Sequence, residues 1–74
     1  MILTKFNKML EKDNARLELV KGEGYFYWVG VGTEYLDEAS IPVCHFYFLS
    51  AEQWMAEYKK MMERLEVIRA EHNL

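Results

Sequence analysis

Cysteine is nearly missing: Cys44 stands alone in a chain of 74 residues. An intrachain disulfide is therefore excluded, and with it the staple on which many small domains rely. A lone thiol suits a reducing compartment, so the cytoplasm is the expected location. Long apolar runs are missing too. No stretch approaches the roughly 18 residues of a membrane span, and Met1-Ile2-Leu3-Thr4-Lys5 is too short an apolar opening for a secretory signal. The leading methionine is expected to open a complete short reading frame. Proline occurs once, at Pro42, and the chain has no repeat, linker or low-complexity tract. One domain spanning residues 1–74 is the expectation. Its core must be thin for its surface, and a homodimer is one ready way to bury more apolar area.

Positive charge is missing from the middle of the chain. Residues 22–50 carry Glu23, Glu34, Asp37 and Glu38 and no Lys or Arg, within a net charge of −3. Residues 1–21 hold five basic and three acidic groups, and residues 51–74 hold four basic and five acidic. A segment without cations repels phosphates. The stretch Lys21-Gly22-Glu23-Gly24-Tyr25-Phe26-Tyr27-Trp28 loosely follows the aromatic RNA-recognition pattern, but Glu23 replaces a stacking ring. Direct nucleic-acid binding is not expected.

Reactive constellations are also lacking. No Cys/His spacing matches a zinc site. Cys44 and His45 are neighbours on an expected strand, so their side chains point to opposite faces and cannot share a metal or form a thiolate–imidazole pair. Cys44 is expected as a small buried hydrophobe and His45 as a cross-strand neighbour. Gly22, Gly24, Gly30 and Gly32 precede no Lys-Ser/Thr pair and no helix start, so they are turn and bulge glycines and no phosphate cradle. Glu52, Glu57, Glu63, Glu66 and Glu71 interleave with Lys59, Lys60, Arg64 and Arg69 as a solvated helix face. No catalytic residue, metal ligand or cofactor is expected, and the protein is read as non-enzymatic.

What the chain does contain is 51% hydrophobic and 28% charged residues, the composition of an ordinary globular domain. Phe6, Met9, Leu10, Asp13 and Leu17 recur at helical steps behind a candidate N-cap, Thr4, which predicts a helix over residues 5–15 with a basic outer face. Leu17-Glu18-Leu19-Val20 and Tyr25-Phe26-Tyr27-Trp28-Val29-Gly30-Val31, separated by a glycine-containing loop, predict a hairpin. Residues 32–42 read as a loop with a helical turn near Tyr35, and Val43-Cys44-His45-Phe46-Tyr47-Phe48 as a third strand beginning beside the edge-tolerated Pro42. Ser50 and Gln53 form a capping box. The helix it opens runs from Ala51 to about Glu71, about 30 Å long. The expected fold is α+β, in the order α-β-β-β-α, with a three-stranded antiparallel sheet, a short N-terminal helix and a long C-terminal helix.

Seven of the eleven aromatic residues fall in Tyr25–Trp28 and Phe46–Phe48. Alternation sets Tyr25, Tyr27, Val29 and Val31 on one face of the second strand and Phe26, Trp28 and Gly30 on the other. In the third strand Cys44, Phe46 and Phe48 would oppose Val43, His45, Tyr47 and Leu49. Both faces are then apolar, whereas a half-solvated antiparallel strand should alternate with polar residues. Either the helices cover one face and the tyrosine face stays partly wet, or a second copy of the chain or a partner covers one face. Interfaces favour tyrosine and tryptophan. The expected partner-binding set is Tyr25, Tyr27, Tyr47 and Tyr35 as anchors, with Glu34, Asp37 and Glu38 steering toward basic groups of a host protein. The helical stripe Trp54, Tyr58, Met61, Leu65 and Ile68 is the expected homodimer seam. A small-ligand pocket between the sheet and Met55, Met61 and Met62 is a third possibility.

Leu19-Val20-Lys21-Gly22-Glu23-Gly24-Tyr25-Phe26-Tyr27-Trp28, followed by Leu49-Ser50-Ala51-Glu52-Gln53-Trp54, resembles small proteins encoded by phages and prophages, over roughly residues 17–58. Where a role is known, such proteins are often binders that block host enzymes or immune complexes, anti-CRISPR proteins among them. The resemblance implies an inhibitor of that kind and carries no functional residue across.

Overall fold

A computed structural model describes all residues from Met1 to Leu74. Helix α1 spans Leu3–Lys12, strand β1 Leu17–Lys21, β2 Phe26–Gly30, β3 Ser40–Ile41 and helix α2 Ala51–Glu71; 3-10 turns occupy Thr33–Tyr35 and Phe46–Phe48. The strands form one antiparallel sheet in the order β1-β2-β3, so the fold is α+β with a helix at each end of the chain. The molecule is 35 Å long by 25 by 16 Å, and the length is that of α2, about 31 Å at helical rise.

Local chemistry sets the boundaries. Helix α1 begins earlier than its expected cap: Ile2 is the N-cap and Thr4 already lies in the first turn. The helix ends by a Schellman closure. Asn14 takes φ +54°, its N–H bonds the Glu11 carbonyl, and the Ala15 N–H reaches back to Leu10. The expected residues 13–15 are therefore its terminator. At α2 the capping box is complete, with Gln53 N–H to Ser50 Oγ at 3.1 Å and Ser50 N–H to Gln53 Oε1 at 2.7 Å.

The hairpin pairs Leu17 with Gly30 and Lys21 with Phe26. Leu17, Leu19, Phe26 and Trp28 turn inward, where Phe6 and Leu10 of α1 and Trp54, Tyr58, Met61 and Leu65 of α2 meet them in one core. Both helices lie on the same side of the sheet. Gly30 is required by close approach: a Cβ there would collide with the backbone of Arg16 and Leu17.

The third strand is not where β propensity puts it. Ser40 and Ile41 pair with Tyr27 and Phe26, while the expected strand over residues 43–48 becomes a bend and a 3-10 turn. Pro42 has no N–H to extend the ladder, and the Val43 N–H turns back onto Ile41 at 2.9 Å. Phe46 then swings inward to lie parallel to Trp54, ring centres 4.8 Å apart at 7°. Its carbonyl accepts the Trp54 Nε1–H at 2.7 Å. The demand of a fully buried indole for an acceptor overrides local strand preference. The expected alternation of faces over 43–49 is lost with the strand: Phe46 points in, whereas Tyr47 and Phe48 are exposed, Tyr47 by 76%. Cys44, expected in the core, is exposed as well.

Residues Trp54, Tyr58, Met61 and Leu65 are buried against the chain's own sheet. Four of the five residues expected as a dimer seam are therefore internal core. The last buried member of the stripe is Arg69; Ile68 is only half-buried. Met61 belongs to that core and Met55 and Met62 pack on its margin; between Met61 and the sheet a small cleft of about 230 Å³ remains, bordered by Trp28, Ser40 and Ile41.

One polar contact finishes the sheet. The Asn7 amide donates to the Leu19 carbonyl at 2.9 Å and its oxygen accepts the Leu19 N–H at 2.8 Å. A side chain thus makes the two bonds that a further strand would make and blunts the β1 edge.

Trp54→Phe strands the Phe46 carbonyl and is expected to lower unfolding free energy by about 1–3 kcal/mol; an unchanged urea midpoint would refute the bond's role. Asn7→Ala is expected to lose a similar amount and to elute at rising apparent mass as concentration increases. If both stability and elution match the parent chain, Asn7 does not guard the edge.

Candidate functional site

The helices cover one face of the sheet and leave the other open. Glu18 and Val20 from β1 and Tyr27 and Val29 from β2 alternate with the core residues and so point outward, joined by Tyr25 just before β2. Tyr25 is 41% and Val29 46% exposed, Tyr27 and Val20 are half-buried and Glu18 is exposed. The Tyr25 and Tyr27 rings lie 5.7 Å apart at 37°. Beside Val29 and Glu18 the face falls into an open trough of about 740 Å³ whose other wall is the flank of α1, with Lys8, Glu11 and Arg16 on its rim.

Of the expected anchors, the structure brings Tyr25 and Tyr27 together and scatters the rest. Tyr47 stands at the hairpin end but off the sheet. Its segment is tied there by Lys21 Nζ donating to the Cys44 carbonyl at 3.2 Å. His45 lies parallel to it at 5.1 Å and Phe48 stands edge-on to both rings. His45, expected across a strand pair, thus belongs to an exposed ring cluster on a turn.

The acidic loop leaves the far end of β2, about 17 Å along a five-residue strand from Tyr25. There it packs on α2: Arg64 Nη1 approaches the Glu38 carbonyl at 3.4 Å, and Tyr35 stacks on His72 at 3.8 Å and 12°. Glu34, Asp37 and Glu38 are exposed. The connection that carries them then returns along β2, where the Trp28 N–H bonds the Ala39 carbonyl and Ser40 pairs with Tyr27.

Sequence reasoning missed a second cluster, at the core's other end. Arg69 is buried without a carboxylate partner; its Nε donates to the Val31 carbonyl at 2.8 Å and Nη2 to that of Arg16 at 3.1 Å. Burial, and then the neighbouring Arg16 charge, push its pKa below the usual guanidinium value, with Tyr58 opposing. Tyr58 is shifted upward, mainly by burial and then by the facing Asp13 carboxylate, with Arg69 partly offsetting. The pattern that could have revealed Arg69 is the four-residue step from Leu65, which lands on it as naturally as the three-residue step lands on Ile68. These groups bind the α2 C-terminal half to the ends of both long strands. No group of three or more His, Cys, Asp or Glu is placed to hold a metal ion, and no helix is long and apolar enough to cross a membrane.

Neither a protein-family model, nor a curated protein, nor a solved structure matches the chain.

The Tyr58 shift has a testable sign. The folded chain holds the phenol proton more tightly than the unfolded chain, so this contribution is full below the ordinary phenol pKa of about 10 and is lost as pH rises through and above it. Urea midpoints between about pH 8 and pH 11 are expected to fall less steeply in Tyr58→Phe than in the parent; parallel slopes would remove Tyr58 from the account.

Proposed function

We propose that this chain is a non-enzymatic protein-binding module whose docking surface is the open face of its sheet. The observation that carries the reading is the uncovered set of Tyr25, Tyr27, Val20 and Val29 on a sheet whose opposite face is fully used by the core. Exposed tyrosines and valines grouped on rigid strands match what interfaces select: amphipathic rings on elements that lose little entropy on binding. The acidic loop, displaced to the far end of β2, serves as a long-range attractor for a basic partner. In the concrete form implied by the resemblance, the partner is a host protein met in the cytoplasm, and the bound chain blocks a host enzyme or a defence complex, as anti-CRISPR proteins do.

A second copy of the chain is the competing occupant. The face is about 17 Å long and three strands wide, roughly 250 Å², against about 800 Å² per partner in a specific assembly. By area alone the face falls short of either assembly, so a host protein or a second copy must also engage surface beyond it.

A photo-crosslinking residue placed at Val29 or Tyr27 is expected to yield a discrete heterologous adduct in host lysate. The same residue at Ala56 or Lys59, on the outer side of α2, is expected to yield none. Equal adducts from both faces would defeat the assignment, and an adduct of twice the chain mass would transfer the face to self-association.

A further inference from the structure

We infer that the Tyr25 ring is a seat for an arginine side chain of the partner, an inference that rests on the protein-binding reading above. The seat is built by the hairpin. A Cβ at Gly22 would lie 2.5 Å from Tyr25 Cζ and 2.8 Å from both Cε atoms. The equal flanking distances put the glycine directly beneath the face of the ring. One face of Tyr25 thus rests on backbone, Tyr27 buttresses it from the side at 5.7 Å, and the opposite face looks into solvent. The ring is held in place before any partner arrives, which removes much of the ordering cost of binding.

Charge around the ring selects the occupant. Glu23 lies in the same hairpin turn and is exposed. The one cation of the hairpin is turned away: Lys21 Nζ bonds the Cys44 carbonyl at 3.2 Å and stands 5.7 Å over the Phe26 ring on the inner side. Lys8 and Arg16 lie at the trough, at the other end of the face. An electron-rich ring with a carboxylate nearby and no competing cation attracts a positive group. A guanidinium fits better than an ammonium because it is planar, more weakly hydrated and stacks on ring faces. The Tyr25 and Tyr27 hydroxyls make no bond within the chain, so they remain free to accept from it.

The test titrates the isotope-labelled full chain with three capped pentapeptides, Gly-Arg-Gly-Arg-Gly and its Lys and Gln analogues, followed by amide NMR. The arginine peptide is expected to shift Gly22, Glu23, Tyr25 and Tyr27 saturably, the lysine peptide more weakly and the glutamine peptide not at all. Tyr25→Phe is expected to keep the response and Tyr25→Leu to weaken it roughly five- to thirty-fold. Gly22→Ala is expected to weaken it too, because the added methyl displaces the ring without a backbone clash. Equal responses to the Arg and Gln peptides, an undiminished response in Tyr25→Leu, or shifts confined to Glu34–Glu38 would overturn the arginine seat. A peptide response that fails, combined with face-specific crosslinks from Val29, overturns the seat and leaves the binding face standing. A Tyr25-dependent response without such crosslinks leaves the seat and overturns the larger reading.

Discussion

The fold hangs on the indole of Trp54. It is fully buried at the start of α2, and one nitrogen and one ring system make four attachments. The N–H takes the Phe46 carbonyl and the ring lies parallel to Phe46. Its edges meet Phe26 of β2 and Phe6 of α1, with centres 5.4 and 6.2 Å away. The four contacts reach three separate parts of the chain, Phe46, β2 and α1. A buried N–H has few ways to be satisfied, so the segment before α2 must bend to offer an acceptor. That bend shortens β3 to two residues and throws Tyr47 and Phe48 to the surface.

Arg69 performs the matching task at the other end of α2. A buried guanidinium with two backbone acceptors and no carboxylate relies on carbonyl dipoles for its solvation. Those carbonyls belong to Val31 and Arg16, the residues flanking the paired ends of β2 and β1. Between Trp54 and Arg69 the long helix is fixed to the sheet at both ends, and α1 fills the remaining width through Phe6 and Leu10. Three layers would need a second set of apolar elements that a chain of this length does not have. The outer face of the sheet is open because the helices are used up on the inner one.

Features set by neighbouring residues were legible in the sequence. The Ser50–Gln53 box and the uninterrupted helix after it, the hairpin, and the split of β2 into a tyrosine face and a Phe26–Trp28 face all follow from local pattern and period. What was not legible depends on partners distant along the chain. Val43–Phe48 has the composition of a strand, and only the position of Trp54 makes it a turn. Cys44 loses its buried place with that strand. Arg69 looks like one more solvated cation until the carbonyls of Arg16 and Val31 are seen to face it. The expected site was half legible for the same reason: Tyr25 and Tyr27 are two apart across the start of one strand, while the placement of the acidic loop on α2 is not encoded in composition.

Asn7 has a wider consequence. With its amide seated on Leu19, and with the opposite edge reduced to two residues before Pro42, the sheet offers little continuous main chain to another molecule. Backbone pairing is the same for every sequence and tolerates any partner that can extend. A sheet closed at its borders must instead discriminate through the side chains on its surface. Specificity then resides in a handful of positions that change one at a time, so a partner can drift and be followed by single substitutions without disturbing the scaffold.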